Sequence, residues 1–471
     1  MMLAWLPDID RGYGDAYTRL ADAIEGAIRS GRLKAGERLP THRALARQLG
    51  VAISTVTRGY AEATDRGLLE STVGRGTFVR SAANASTARG PEMRPMERMY
   101  VSAVPEADII DLSLNHPLRE GAGKSLGDSL SAMIAGSDLD ELSLYHPPHG
   151  NAEHRAAGSE WLRFMGVEAD PGDVMVIAGG QTGLLSILLA FARRGDVVLS
   201  ESLTWPGALA IAQSVGMRLE SVEMDEEGID PERFEEACKH FAPRLLYTMP
   251  TLQNPTTATA SVGRRQEIVR IAREHGVLIV EDDAYGFILS PRVTSYWEIA
   301  PETSVYLTSL SKPIAPAMRI GYLAARAPHR RRLLGTLRAT TVMPSPLLSE
   351  LAARLIRSGE GAERANFQAD AAFRRQRLAD RILGPESGVP VSLHRWLPLP
   401  QGIRTSDFVA STLGQGVAVT PGDVFAVRPG DDPAAVRICL CAEPDEKRLE
   451  RALTIIARLA EADRSAALPV V

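Results

Sequence analysis

Between residues 15 and 30, apolar side chains recur at Leu20, Ile24, Ala27 and Ile28. That spacing lines one face of a helix, and Gly31 supplies a stop. A turn-rich connector, Leu33 to Pro40, leads to Thr41, which is placed to cap a short helix through Leu49 that Gly50 ends. After a tight turn, Ser54 begins a third predicted helix running to about residue 66, with Val56 and Tyr60 turned inward. Two helices joined by a short glycine-containing turn form a helix-turn-helix, whose second helix enters the DNA major groove. Val73-Gly74-Arg75-Gly76-Thr77-Phe78-Val79 then reads as a glycine-turned hairpin tip, the place of a wing. The pattern changes after residue 80. Residues 81–107 open small and polar, as a flexible linker does, and a random coil of that length spans roughly 30 Å. Further on, Val277-Leu278-Ile279-Val280 is a short apolar run of the kind that forms a buried parallel strand. An acidic turn, Asp225 to Asp230, caps a predicted helix Pro231–His240.

Chemistry gathers at the ends of these units. Ser309-Leu310-Ser311-Lys312 is followed by Arg319 seven residues after the lysine and by Gly321. Alone, the Ser-x-Ser-Lys piece equally suits a strand running into a loop with a surface lysine. Glu281-Asp282-Asp283-Ala284-Tyr285 follows the apolar run, which puts a carboxylate at the C-terminal end of a strand, where α/β sheets place ligands. Asn254-Pro255 lies 28 residues before Asp282, and Lys312 lies 30 after it. Each gap matches one strand-plus-helix unit, so all three can meet at one sheet edge. A lysine, hydroxyls, an arginine and a carboxylate together suit pyridoxal phosphate (PLP), which needs an amine, phosphate donors and a partner for its ring nitrogen.

In order and spacing these motifs resemble the fold-type I aminotransferases over roughly residues 108–460. The resemblance implies an α/β PLP-dependent transferase fold, with a mostly parallel central sheet and a smaller C-terminal subdomain. It implies that Lys312 forms the Schiff base, Asp282 pairs with the pyridine nitrogen, and Asn254 and Tyr285 flank the phenolic oxygen. Ser309, Ser311 and Arg319 would hold the phosphate, with Gly180 and Gln181 of the Ala178–Gly183 loop at a helix N-terminus. Trp205 stands where the family usually has a tyrosine stacked on the ring. Tyr145 resembles the tyrosine lent to the neighbouring subunit's phosphate, which implies a homodimer. Arg437 would receive a substrate or effector carboxylate, although an arginine in a C-terminal strand also suits a surface ion pair. Asn115 departs from the pattern, since a glycine usually lies there against the substrate.

The first eighty residues resemble the winged helix of the GntR transcription-factor family in three places: Leu39-Pro40-x-x-Arg43, Thr55-Val56-x-Arg58-x-Tyr60 and Gly74-x-Gly76-Thr77-Phe78-Val79. On that resemblance Arg43, Ser54, Thr55, Thr57 and Arg58 are DNA contacts, with Arg75 and Gly76 at the wing. Ile53 departs, because the family often has arginine there. Both resemblances in one chain are similar to the MocR-type subfamily of GntR regulators. The expected plan is residues 1–80 as the winged helix-turn-helix, 81–107 as linker and 108–471 as effector domain. Within the effector domain, a large subdomain spans about 130–325 and a small one about 326–471 plus 108–129.

Composition adjusts this picture only slightly. At 471 residues, more than one core is expected. The net charge is −5, yet residues 1–80 hold 12 Lys/Arg against 9 Asp/Glu, a balance of +3 that leaves −8 elsewhere. Three cysteines, Cys238, Cys439 and Cys441, show no metal-ligand spacing; they imply a reducing compartment and no metal site. No signal peptide or membrane span is read, so a cytoplasmic protein is expected. Arg330-Arg331-Arg332 and Arg374-Arg375 read as solvated helix faces or a secondary DNA surface. The resulting expectation is a PLP-dependent regulator that binds operator DNA and senses a small amine, an amino acid or PLP itself. The alternatives are an active aminotransferase with an appended DNA-binding domain, and a DNA-binding protein that uses PLP as a folding aid.

Overall fold

The computed structural model describes residues 16–34, 36–65, 68–72, 76–79, 109–385, 391–428 and 430–466, and every statement below concerns those residues. The linker expected at 81–107 and the wing tip with Arg75 lie outside them. The chain divides into two compact units, residues 1–92 and 93–471.

In the first unit, α1 (Ala16–Arg29), α2 (His42–Leu49) and α3 (Ile53–Asp65) precede an antiparallel hairpin of β1 (Leu69–Thr72) and β2 (Gly76–Val79). Thr41 caps α2 by accepting from the Ala44 amide at 3.3 Å, and Gly50 ends it in the left-handed region at φ 67°. Leu20, Ile24, Val56 and Tyr60 are buried in one core, as their spacing requires. The Tyr60 hydroxyl donates to the Pro40 carbonyl at 2.9 Å, which ties the connector to α3.

The second unit is built on a seven-stranded sheet. Its order is β4 (Val174–Ile177), β12 (Gly321–Ala324), β11 (Ser304–Ser309), β10 (Leu278–Asp282), β9 (Leu245–Thr248), β5 (Val197–Glu201) and β6 (Arg218–Val222). From β11 to β6 every pairing is parallel, whereas β12 runs antiparallel to both neighbours. The central strands are buried throughout, which is why they read as apolar runs rather than alternating patterns. A small hairpin of β7 (Met224–Asp225) and β8 (Gly228–Ile229) contains the acidic turn. Asp230 then caps the helix Pro231–Phe241 by accepting from the Arg233 amide.

The C-terminal part forms a second layer. A three-stranded antiparallel sheet joins β13 (His394–Pro398), β16 (Ala435–Cys439) and β15 (Thr420–Pro421). Beside it β14 (Val417–Ala418) pairs with β3 (Ile110–Asp111), and the Cys439 amide donates to the Leu112 carbonyl. Residues 110–115 are thereby bound to this C-terminal sheet. Cys439 and Cys441 are both buried in packing positions. Arg375 corrects the expectation of a solvated face: it is 4% exposed and donates to the carbonyls of Leu440, Glu443 and Pro444. Arg374 beside it is exposed. No described helix is long and apolar enough to cross a membrane.

Candidate functional site

The parallel strands end on one edge of the sheet, and their C-terminal loops carry the chemistry there. β5 leads to Trp205, β9 to Asn254, β10 to Asp282 and Tyr285, and β11 to Ser309, Ser311 and Lys312. Because β12 is antiparallel, it begins where the others end, so Arg319, two residues before it, reaches the same edge. These residues line a single cavity of about 270 Å³, together with Asn115, Gly180, Gln181 and Arg437. Tyr145 is outside the cavity lining and 87% exposed.

At one end is an anion cradle. Ser309 and Ser311 lie hydroxyl to hydroxyl at 3.0 Å, and the helix Gly180–Phe191 points its N-terminus into the site. Arg319 is a non-glycine residue in the left-handed region at φ 46°. Its guanidinium crosses Gly179, where an added Cβ would stand 2.6 Å from Nη2, so only glycine lets the arginine in. Trp205 is similarly seated: a Cβ on Gly207 would lie 2.1 Å from the indole.

At the other end is Asp282. Side chains alternate along a strand, so Glu281 and Asp283 point to the opposite face from Asp282. Each of the three carboxylates has its own partner. Glu281 is bonded to the buried Arg265 at 2.8 Å, and Asp283 accepts from the Tyr306 hydroxyl at 2.7 Å and the Gly286 amide at 2.6 Å. Asp282 faces the cavity and accepts from the Tyr247 hydroxyl at 2.8 Å. Burial pushes its carboxyl up to about 7 against that hydrogen bond. A cation placed opposite it would restore the ionised form.

Between the two ends sits Lys312, whose ammonium burial lowers to about 8, with Arg437 and Arg319 adding to the effect. Its Nζ donates to the Asn115 carbonyl. Arg437 is 2% exposed. Nη1 donates to Asn254 Oδ1 at 2.8 Å and Nη2 to the Ser113 carbonyl at 2.7 Å, while the guanidinium lies 4.9 Å from the Phe425 ring centroid. The surface ion pair that also suited Arg437 is not what forms. Sequence reasoning missed Tyr247 and His394. The Asn115 amide donates to Tyr285 Oη and to His394 Nδ1, each at 3.0 Å. Three buried polar atoms here have no partner, Asn115 Oδ1, His394 Nε2 and Arg437 Nε. Amine, anion cradle and far carboxylate in one cavity fit a phosphorylated pyridine aldehyde.

In the first unit, Arg43 and Ser54 are exposed and Thr55 is half-buried at the start of α3. Thr57 is held by His42 at 3.1 Å and donates to the Ile53 carbonyl at 3.0 Å. Arg58 lies over the Tyr17 ring at 4.5 Å, a stacking that the sequence reading did not foresee. Gly76 opens β2 at φ 114°, with the Arg38 side chain against it. Ile53, where arginine is common, leaves half of its surface in solvent.

Comparison with known proteins agrees with both halves. Residues 107–456 match the family Aminotransferase class I and II, and residues 16–79 match Bacterial regulatory proteins, gntR family. The chain is 27% identical over 459 residues to the HTH-type transcriptional regulator YdeF of Bacillus subtilis, covering 97% of both chains. It is 29% identical over 304 residues to the 2-aminoadipate transaminase of Thermus thermophilus, covering 61% of this chain and 74% of that one. Among solved structures, LysN, an alpha-aminoadipate aminotransferase from the same organism, superposes with TM-score 0.70 at 24% identity. That alignment covers 79% of this chain and 98% of LysN, and the likeness is one of fold. The chain therefore belongs to the class I and II aminotransferase family, and its gntR-type head joined to that PLP-dependent fold, an arrangement shared along 97% of its length with an HTH-type transcriptional regulator, is the MocR-type architecture.

Proposed function

We propose that this protein is a cytoplasmic, DNA-binding transcriptional regulator that holds PLP on Lys312 and senses a small amine, an amino acid or the cofactor supply itself. One observation carries the reading: a winged helix and a cavity combining amine, anion cradle and carboxylate belong to one chain. When bound, PLP would supply an aldehyde reactive toward amines and a ring that draws electrons. The residues divide the remaining work. Lys312, with its lowered pKa, offers the neutral amine, and Asp282 holds the proton on the ring nitrogen. Asn254 and Tyr285 donate to the phenolic oxygen, while Ser309, Ser311, Arg319 and the Gly180 and Gln181 amides hold the phosphate. Trp205 covers the ring, and Arg437 receives an effector carboxylate beside Asn115. Tyr145, exposed on its own chain, completes the partner's phosphate site in a homodimer. Two heads per dimer raise the affinity for a repeated operator half-site. In each head Arg43 and the α3 start (Ser54, Thr55, Thr57, Arg58) meet DNA, with Arg75 and Gly76 at the wing. The effector acts by binding two conformations of the protein with different affinity.

The test is a titration of the purified protein with amines and amino acids, following cofactor absorbance and operator binding in the same samples. Coupled changes in both are expected. A spectral response with unchanged DNA affinity at saturating ligand would refute the sensor. A second reading, a working aminotransferase with a DNA-binding head, is favoured by the identity to the 2-aminoadipate transaminase and by Lys312, Asp282 and Arg437 lining one cavity. In that case titration with an amino acid would show loss of the aldehyde with one equivalent of keto acid released per site, the amino group remaining on the cofactor, and an added keto acid would restore the aldehyde.

A further inference from the structure

Asn115 and His394 come from the C-terminal layer, whereas Tyr285 comes from the loop after β10. The Asn115 amide nitrogen has two hydrogens, and both are used: one on Tyr285 Oη and one on His394 Nδ1, each at 3.0 Å. All three side chains are buried. We propose that Asn115 and His394 are positioning residues that hold the Tyr285 hydroxyl as an obligate donor toward the cofactor's phenolic oxygen. The inference rests on the cofactor reading above and deepens it.

The logic is a count of protons. Tyr285 has one hydroxyl hydrogen. If the Asn115 amide were turned over, Oδ1 would accept that hydrogen and draw it away from the cavity. Which way the amide faces is decided by His394. Of the two ends of the amide only the nitrogen can donate to a bare Nδ1, so Nδ2 must face the pair, and Oδ1 is left buried without a partner. A bare Nδ1 requires a neutral ring with its hydrogen on Nε2. The groups facing His394 favour this. Burial, then Arg437 and Lys312, lower its pKa to about 3 against the Gln253 and Pro255 backbone, which raises it, and Cys439 stands opposite it in the β13–β16 register. Ser392 Oγ, at 3.4 Å from Nδ1, is a further donor to the same nitrogen. A glycine at position 115, which the aminotransferase resemblance leads one to expect, has no side chain for this task.

The consequence can be measured on the cofactor itself. A donor on the phenolic oxygen stabilises its anion, which lowers the pH midpoint at which the absorbance of the lysine-linked cofactor changes. Asn115→Asp keeps the shape but has no N–H. Lys312 and Arg437 keep the new carboxylate ionised, and it accepts the Tyr285 hydrogen. The midpoint should rise by about one pH unit, a tenfold change in proton affinity, and by more than in Asn115→Gly. A merely structural role predicts the reverse order, since glycine removes the larger volume. His394→Leu should raise the midpoint, and His394→Asn, which restores an acceptor near Nδ1, should return it toward wild type.

Nitrogen-15 NMR of the cofactor-free protein gives an independent readout. The Nε2–H tautomer is expected for His394, and an Nδ1–H signal would overturn the proposal even if a variant loaded no cofactor. An Asn115→Asp midpoint equal to wild type, or smaller in shift than Asn115→Gly, would overturn it as well. A wild-type protein that shows no lysine-linked absorbance would instead remove the cofactor reading and this inference with it, and that outcome is visible before any variant is made.

Discussion

Arg437→Met is the substitution that most directly tests how the cavity recognises a ligand. Methionine keeps much of the aliphatic length over Phe425 but removes the planar fork. In the structure, Nη1 spends one hydrogen on Asn254 and Nη2 one on Ser113, with Thr420 Oγ1 at a marginal 3.5 Å from Nη2. One hydrogen on each terminal nitrogen remains for a carboxylate. Two charge-assisted hydrogen bonds at the low end, about 1.5 kcal/mol each, give about 3 kcal/mol. That corresponds to a loss of about 150-fold in affinity. Stability should fall separately. Asn254 Oδ1 loses its donor at a cost of about 1–3 kcal/mol, whereas the Ser113 carbonyl retains the Thr420 hydroxyl at 2.7 Å. The assay compares absorbance titrations with an α-amino acid and with the amine that lacks its carboxylate. The amino acid should weaken by the full factor and the amine hardly at all. If both weakened equally, Arg437 would be holding the site together rather than reading a carboxylate.

Three further outcomes are expected. PLP loading onto the cofactor-free protein should accelerate with pH through a midpoint near 8, because only the neutral Lys312 amine attacks and burial lowers its pKa to about 8; stopped-flow rates that climb only near pH 10 would contradict this. Arg43→Ala should weaken DNA binding uniformly across sequences and reduce the slope of log affinity against log salt by about one, with PLP content unchanged; an unaltered gel-shift affinity would remove Arg43 from the interface. Heterodimers of Lys312→Ala and Tyr145→Phe chains should bind PLP at the one intact lysine with wild-type affinity; behaviour like the Tyr145→Phe homodimer would place the tyrosine in its own chain's site.

The parts of the site that sequence revealed share a local cause. Residues placed just after apolar strands, Asp282, Lys312 and Asn254, are carried to the sheet edge by strand length alone. The helix caps Thr41 and Asp230 are likewise legible, since a cap reaches only two or three residues ahead. The missed residues act across the fold. Tyr247 lies inside the run Leu245–Thr248 and reaches Asp282 only because β9 and β10 pair in the register Tyr247 to Val280. His394 is 279 positions from the Asn115 it meets, in a strand with no recognisable motif. Arg375 read as a solvated charge because nothing local says that three chain carbonyls converge on it. The stacking of Arg58 on Tyr17 is hidden for the same reason, since it depends on how α1 and α3 pack.

The attachment of residues 110–115 to the C-terminal sheet has a mechanical meaning. Three positions separate Leu112, whose carbonyl accepts from the Cys439 amide, from Asn115, whose carbonyl accepts from Lys312 and whose amide holds Tyr285. Strand β3 and this wall of the pocket are therefore one short continuous stretch of chain. A ligand that displaced Asn115 would pull directly on β3 and on its bonds to the C-terminal sheet, with no long relay in between.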